Sequence, residues 1–243
     1  MNSLNTLLTA AVTTATLSLA AGTASAATLL ALGADGQLFK IDSSSQKVTA
    51  TMATNSPSPL RGIDVRPANG MLYALSNDHQ LHTLDLATGA ASKVASLNKQ
   101  LPGSGQAVID FNPVADKLRM LAADGTNFRV NVETGEVVVD GSVAYDAAGP
   151  NKGKSAQVVA GAYTNSYAGT QATALYNVDI ASSSLMLQNP PNDGIQQAVG
   201  KIVDGLQNAA LDIASDGKGG NTAYLLTGTT LHQLDLASGK PST

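Results

Sequence analysis

The sequence predicts an all-β fold, a β-propeller of about five blades, each with up to four antiparallel strands. Three observations predict it. A short apolar strand recurs five times, as Leu29-Leu30-Ala31-Leu32, Leu72-Tyr73-Ala74-Leu75, Leu118-Arg119-Met120-Leu121, Leu175-Tyr176-Asn177-Val178 and Ala223-Tyr224-Leu225-Leu226. The copies start 43, 46, 57 and 48 residues apart, periods that suit four-stranded blades. A partner strand follows each copy and closes on Asp42, Asp85, Asn131, Asn189 or Asp235, which lie 13, 13, 13, 14 and 12 residues from the start of the copy. Finally, residues on both faces of these strands are often apolar, as sheets stacked face to face require. The alternative is a β-sandwich, which also has short strands and frequent turns but gives no reason for the period.

Taken in order, the first 26 residues contain no charged side chain, and 7–21 is a run of Ala, Leu and Thr. Small residues at Ala24 and Ala26 fit a signal-peptidase site, with the mature chain starting at Ala27. The segment departs from that pattern in lacking Lys or Arg near Met1. A short buried helix is the other reading, and the run is too short and Thr-rich to span a bilayer well. The expected layout is a signal peptide over 1–26 and one domain over 27–243, placed in the periplasm or secreted, with no membrane insertion after leader removal. The absence of Cys excludes disulfides and thiolate chemistry.

The clearest unit is 61–94, which reads as strands at 62–66, 71–76, 81–86 and 91–94, joined by Pro-Ala-Asn-Gly, Asn-Asp-His and Ala-Thr-Gly turns. Other leading strands are Ile109-Asp110-Phe111, 160–164 and Leu211-Asp212-Ile213, and Gly89, Gly135 and Gly239 close equivalent turns. The first unit lacks a leading strand once the leader is removed, and the fifth ends before a convincing fourth strand, so ring closure and blade number stay open at this stage.

A net charge of −4 without runs of like charge gives no footprint for nucleic acid or anionic membranes. With no Trp, six Tyr and three Phe, stacking sites are not expected to dominate. His82 and His232 occupy a position held by Phe39, Phe128 and Met186 in other units, which marks them as core-edge residues. His79 lies in a turn, and no Ser-His-Asp arrangement can be assembled. Asp64, Asp110 and Asp212 fall at matching places on the leading strands, which line the axis of a propeller. They can hold Ca²⁺ or Mg²⁺, or accept hydrogen bonds from backbone N–H groups of the next blade. The second is the expected reading.

Breaks in a repeat mark functional places. Here they are insertions at 164–171 and 215–221, and the Asn189-Pro190-Pro191-Asn192-Asp193-Gly194 turn. In an up-and-down meander the first and third turns lie at one end, so these loops are expected on one rim. Arg66, Asn112, Tyr163, Asn165, Asn189, Asn192 and Asp193 are the candidate ligand-binding residues there, with Arg119, Arg129 and Lys218 as weaker additions. Amides, a phenol and a few cations suit a polar neutral or weakly anionic ligand.

The phrases GIDVRPANGMLYALS, VIDFNPVADKLRML, NFRVNVETGEVVVDG, VVAGAYTNS and LQNPPNDG resemble a bacterial exported family known as domain of unknown function 4394. The resemblance spans residues 29–239 and implies a propeller-like exported domain. It carries no catalytic residues over, because none are assigned. The Lys-rich 150–155 loop and an early C-terminus depart from the family pattern.

The expected function is a non-catalytic binding or interaction module, without a cofactor, for a polar small molecule, a carbohydrate or a protein. The alternative is a metal-assisted hydrolase or lactonase-like enzyme with Ca²⁺ or Mg²⁺ on Asp64, Asp110 and Asp212, an analogy from fold alone.

Overall fold

A computed structural model describes residues 12–18 and 27–242. It is a five-bladed β-propeller. Blade 1 holds β1 (Val12–Ser18), β2 (Thr28–Gly33), β3 (Gln37–Asp42) and β4 (Lys47–Ala53). Blade 2 holds β5 (Leu60–Val65), β6 (Leu72–Ser76), β7 (Gln80–Leu84) and β8 (Ala91–Ser96). Blade 3 holds β9 (Val108–Asn112), β10 (Lys117–Leu121), β11 (Asn127–Asn131) and β12 (Glu136–Val139). The connection that follows contributes β13 (Ala144–Tyr145), which joins blade 4 as a parallel outer strand beside β17. The rest of blade 4 is β14 (Val158–Tyr163), β15 (Leu175–Asp179), β16 (Ser184–Gln188) and β17 (Ile195–Lys201). Blade 5 holds β18 (Ala210–Ser215), β19 (Asn221–Thr227), β20 (Thr230–Leu234) and the two-residue β21 (Pro241–Ser242). Five separate small sheets replace the two large ones a sandwich requires.

The innermost strands meet in ring order, β1 on β5, β5 on β9, β9 on β14, β14 on β18 and β18 on β1, so the ring closes. The strand that completes blade 1 lies inside the stretch read as a leader: Val12–Ser18 runs antiparallel to β2, with Leu17 opposite Leu29. The expected cleavage site at Ala24 to Ala26 lies outside the described residues.

Apolar residues on both faces let each blade bury one face against each neighbour. Leu30, Leu38, Ile63, Leu72 and Leu84 fill the seam between blades 1 and 2. Tyr73, Ile109, Phe111 and Met120 fill that between 2 and 3, where the Tyr73 and Phe111 rings meet edge to face at 5.3 Å. Val178, Leu185, Leu211 and Leu225 join blades 4 and 5, and Leu29, Phe39, Tyr224 and Leu226 join 5 and 1. The seam between blades 3 and 4 differs. Its apolar cluster holds only Val108, Leu121 and Val158 as buried members.

Sheet twist changes where the turns go. Adjacent strands rotate by roughly 20–25°, so the fourth strand of a blade lies steeply across the first. In blades 2 to 5 the third turn swings sideways onto the outer strand of the preceding blade or the residues just after it. Gly89 meets the Ala53 carbonyl, Gly135 the Ser96 carbonyl, Gly194 the Gly141 and Ser142 carbonyls, and Gly239 the Gly200 carbonyl. Backbone bonds seal three of these contacts, from Asn55 N–H to Gly89 O, Asn98 N–H to Gly135 O and Gly141 N–H to Asn192 O.

Candidate functional site

The first turns follow the C-terminal ends of the innermost strands, and they form one end of the ring, where a ligand would be met. Arg66, just after β5, donates to both carboxylate oxygens of Asp116, at 2.8 and 2.5 Å, and reaches Glu133 at 3.2 Å. It staples blade 2 to blade 3. The Arg66 guanidinium holds the Asp116 carboxyl below the usual carboxylate range. Asn112 turns its Oδ1 back onto the N–H groups of Val114 and Ala115, both at 2.9 Å, and so caps its own turn.

Tyr163, Asn192 and Arg119 come together at the apolar-poor seam between blades 3 and 4. Arg119, 1% exposed, donates to the Tyr163 hydroxyl at 3.2 Å, to Asn127 Oδ1 at 2.7 Å, to Asn192 Oδ1 at 2.7 Å and to Asp140. Arg129 pairs with both oxygens of the same Asp140, at 2.7 and 2.9 Å. Burial pushes the Asp140 carboxyl up, but hydrogen bonds from Arg129 and Arg119 outweigh it and hold the group below its ordinary range. Asn189, in cis linkage to Pro190, donates its backbone N–H to Ile195 O. Asp193 is exposed on this turn. The 189–194 turn therefore docks on blade 3.

The other two irregular loops do meet. Asn165 and Asn221 exchange hydrogen bonds, Asn165 N–H to Asn221 Oδ1 at 2.7 Å and Asn221 Nδ2 to Asn165 Oδ1 at 2.8 Å. Asn165 Nδ2 also holds Ala172 O at 2.9 Å, so one asparagine ties the long loop to itself and to the next blade. Around this bridge Gly169, Gln171 and 216–220, including Lys218, are exposed. Of the seven main candidate residues Asn165 alone belongs to this two-loop platform, together with the weaker candidate Lys218.

Along the axis, Asp64 Oδ2 accepts from Phe111 N–H at 2.6 Å, and Asp110 Oδ1 accepts from Tyr163 N–H at 2.9 Å. Each carboxylate thereby latches its blade to the next. Asp64, Asp110 and Asp212 are 5–6% exposed. Burial pushes the carboxyls of Asp64 and Asp110 well above the usual range, and repulsion among the three adds to this. Among the described residues, no group of three His, Cys, Asp or Glu is arranged to hold a metal.

A folded pKa raised above 3.8 stabilises the protein below that pH, and the contribution fades as pH rises through the raised value. Asp110→Asn keeps the acceptor and removes the titration. The variant is expected to show a flatter decline of melting temperature above pH 4 than the parent, read in melts from pH 4 to 8. Parallel curves for the two proteins would sink this assignment. Burial depresses the imidazoles of His82 and His232, giving an opposite slope below about pH 6.5 that both proteins share. His82 is buried, 3.2 Å from Ser76, and His232 is half-buried, 3.0 Å from Thr227.

Sequence reasoning missed two structural polar groups. Buried Arg61 donates to the carbonyls of Leu101, Pro102 and Gly105 and so holds the link between blades 2 and 3. Asn177, Gln188 and Gln196, at most 1% exposed, bond to one another inside blade 4. Their polarity at apolar repeat positions was the available signal.

Fold and site define a closed five-bladed propeller whose seams carry polar staples and whose first-turn end carries a bridged pair of long loops. The pattern of the family described as a domain of unknown function (DUF4394) matches residues 37–243, and the chain belongs to that family. No curated protein matches it. Among solved structures, it resembles a structural-genomics protein of unknown function from Bacteroides thetaiotaomicron, with a TM-score of 0.56 at 19% identity over 93% of this chain and 56% of the other. A computationally designed protein, Ika8, gives 0.40 at 14% identity over 96% and 60%. The chain thus spans under two thirds of the length of either, and the likeness to the first is one of fold.

Proposed function

We propose that this protein is an exported, non-catalytic binding or interaction module, whose platform at 165–171 and 216–221 takes a polar partner such as a carbohydrate or a peptide backbone. The observation that carries the reading is the reciprocal Asn165–Asn221 bridge, which fixes two insertions into one exposed surface on a rigid ring. Of the other candidate residues, Arg66, Asn112, Tyr163 and Asn192 are engaged in staples and caps, and the backbone of Asn189 holds its own turn. They shape the scaffold. The uncharged 26-residue start supports export to the periplasm or beyond, and cleavage after Ala26 would take Val12–Ser18, the innermost strand of blade 1, out of the ring.

A thermal-shift screen against oligosaccharides and peptides tests the platform. A ligand at 100 times its Kd stabilises by about 2.7 kcal/mol, or roughly 5–10 °C for a chain of this size. Replacing 165–173 by a four-residue Pro-Ala-Asn-Gly turn is expected to abolish that shift and leave a folded ring. A shift that survives the replacement rules the platform out.

A further inference from the structure

Four matching cross-strand positions form a neutralised polar cluster in blade 3 and, in blade 1, an apolar patch that keeps one cation. In blade 3 the patch is Arg119, Arg129, Asn127 and Asp140: Arg119 lies opposite Arg129, and Asp140 bonds through its backbone to Asn127. In blade 1 the same places are taken by Leu30 opposite Lys40, and Leu38 opposite Met52. Lys40 thus stands where Arg129 stands and Met52 where Asp140 stands. The cation is kept and its carboxylate is replaced by an apolar side chain. Among the described residues, no acidic group pairs with Lys40 in an ion pair.

The occupant of the cleft differs too. At blade 3 the long turn of the next blade inserts Asn192 onto Arg119. At blade 1 the corresponding turn is the shorter one at Leu86 and Ala87, and a cavity of about 250 Å³ remains, lined by Leu30, Leu38, Lys40, Met52, Leu86 and Ala87 among others. Leu30 and Leu38 form a buried floor, and Lys40 is half-buried. At roughly 30 Å³ per water-sized group, the space takes on the order of eight non-hydrogen atoms.

We propose that this cleft between blades 1 and 2 binds a short-chain aliphatic carboxylate, its head on Lys40 Nζ and its tail on Leu30, Leu38, Met52 and Leu86. The ligand supplies what Asp140 supplies in blade 3, an anion facing the repeat's cation, and its tail takes the space that Asn192 occupies there. An ammonium without an ion-pair partner among the described residues gains a charge-assisted hydrogen bond, and the tail leaves water. The site lies away from the 165–171 and 216–221 platform, and the two stand or fall separately.

Calorimetric titration of the full chain with hexanoate, whose eight non-hydrogen atoms match the cavity, tests the proposal, with 1-hexanol and hexylammonium as controls of similar length. Hexanoate is expected to bind saturably, and both controls at least about tenfold more weakly. Lys40→Met, an unbranched side chain entering an apolar row, is expected to weaken hexanoate by about tenfold or more while keeping the melting temperature. Ala87→Phe fills the cleft from an exposed turn and is expected to abolish binding. Absence of saturable heat at millimolar hexanoate, equal affinity for hexanol, or binding that survives both substitutions would overturn the proposal.

Discussion

Replacement of Arg119 by Met is expected to lower the melting temperature by roughly 6–20 °C, the largest loss for any single charged side chain in the molecule. Removing one partner from a buried ion pair costs about 3–5 kcal/mol; here Arg129 still faces Asp140, so the cost falls on the buried acceptors that lose their donor. One kcal/mol corresponds to about 2–4 °C at this chain length. Arg119 is 1% exposed and the Asp140 side chain 5%, so solvent cannot take over the pairing. The guanidinium also satisfies Asn127, Asn192 and the Tyr163 hydroxyl, three groups from two blades. This seam has the smallest apolar cluster of the five, so its polar contacts carry a larger share of the docking.

Arg129→Met should cost far less, since its side chain is 34% exposed and Arg119 still faces Asp140. Adding Asp140→Asn to Arg119→Met should bring no recovery, because Arg129 still pairs with both oxygens of Asp140 at 2.7 and 2.9 Å, and a double-mutant cycle reads that coupling directly. A loss of under about 3 °C for Arg119→Met would show that the Arg119 contacts are not what holds blades 3 and 4.

Why the sequence led to a propeller, yet placed Arg119 only among weaker rim residues, follows from what a repeat encodes. Leu30, Tyr73, Tyr176 and Tyr224 occupy the position of Arg119 in the other units. That register makes the position a buried one, and a cation there requires a buried acid, so the anomaly was legible. Its partners were not, because Asp140 and Asn192 lie 21 and 73 residues away and reach it only through blade twist. The same twist brings the 189–194 turn against blade 3 at Gly141 and Ser142. Periodicity reports which residues share a face; it does not report how far an outer strand has rotated when its turn meets the neighbouring blade. The closing strand was hidden for another reason. Small and β-branched residues in Val12–Ser18 serve a leader and a strand equally well, and composition cannot separate them.

Gly135→Ala is the second large expected effect, and it tests whether the swung third turns hold the ring. Gly135 has a φ of 75°, and an added Cβ would run into the backbone carbonyl of Ser96 on blade 2. Left-handed backbone costs about 1–2 kcal/mol for a residue with a Cβ, and forcing an overpacked contact about 1–3 kcal/mol more. The sum is a loss of roughly 4–20 °C at this chain length. Gly70 isolates the two contributions: its φ is 68°, but a Cβ there meets nothing within 4 Å. Gly70→Ala should therefore show the backbone cost alone, about 2–8 °C. The excess in Gly135→Ala measures the docking of blade 3 on blade 2, because the clash falls where Asn98 N–H reaches Gly135 O and Asn98 Oδ1 takes Val137 N–H, each at 3.0 Å. Equal losses for the two variants would mean that the turn yields without disturbing the seam, leaving the ring to its apolar clusters and polar staples.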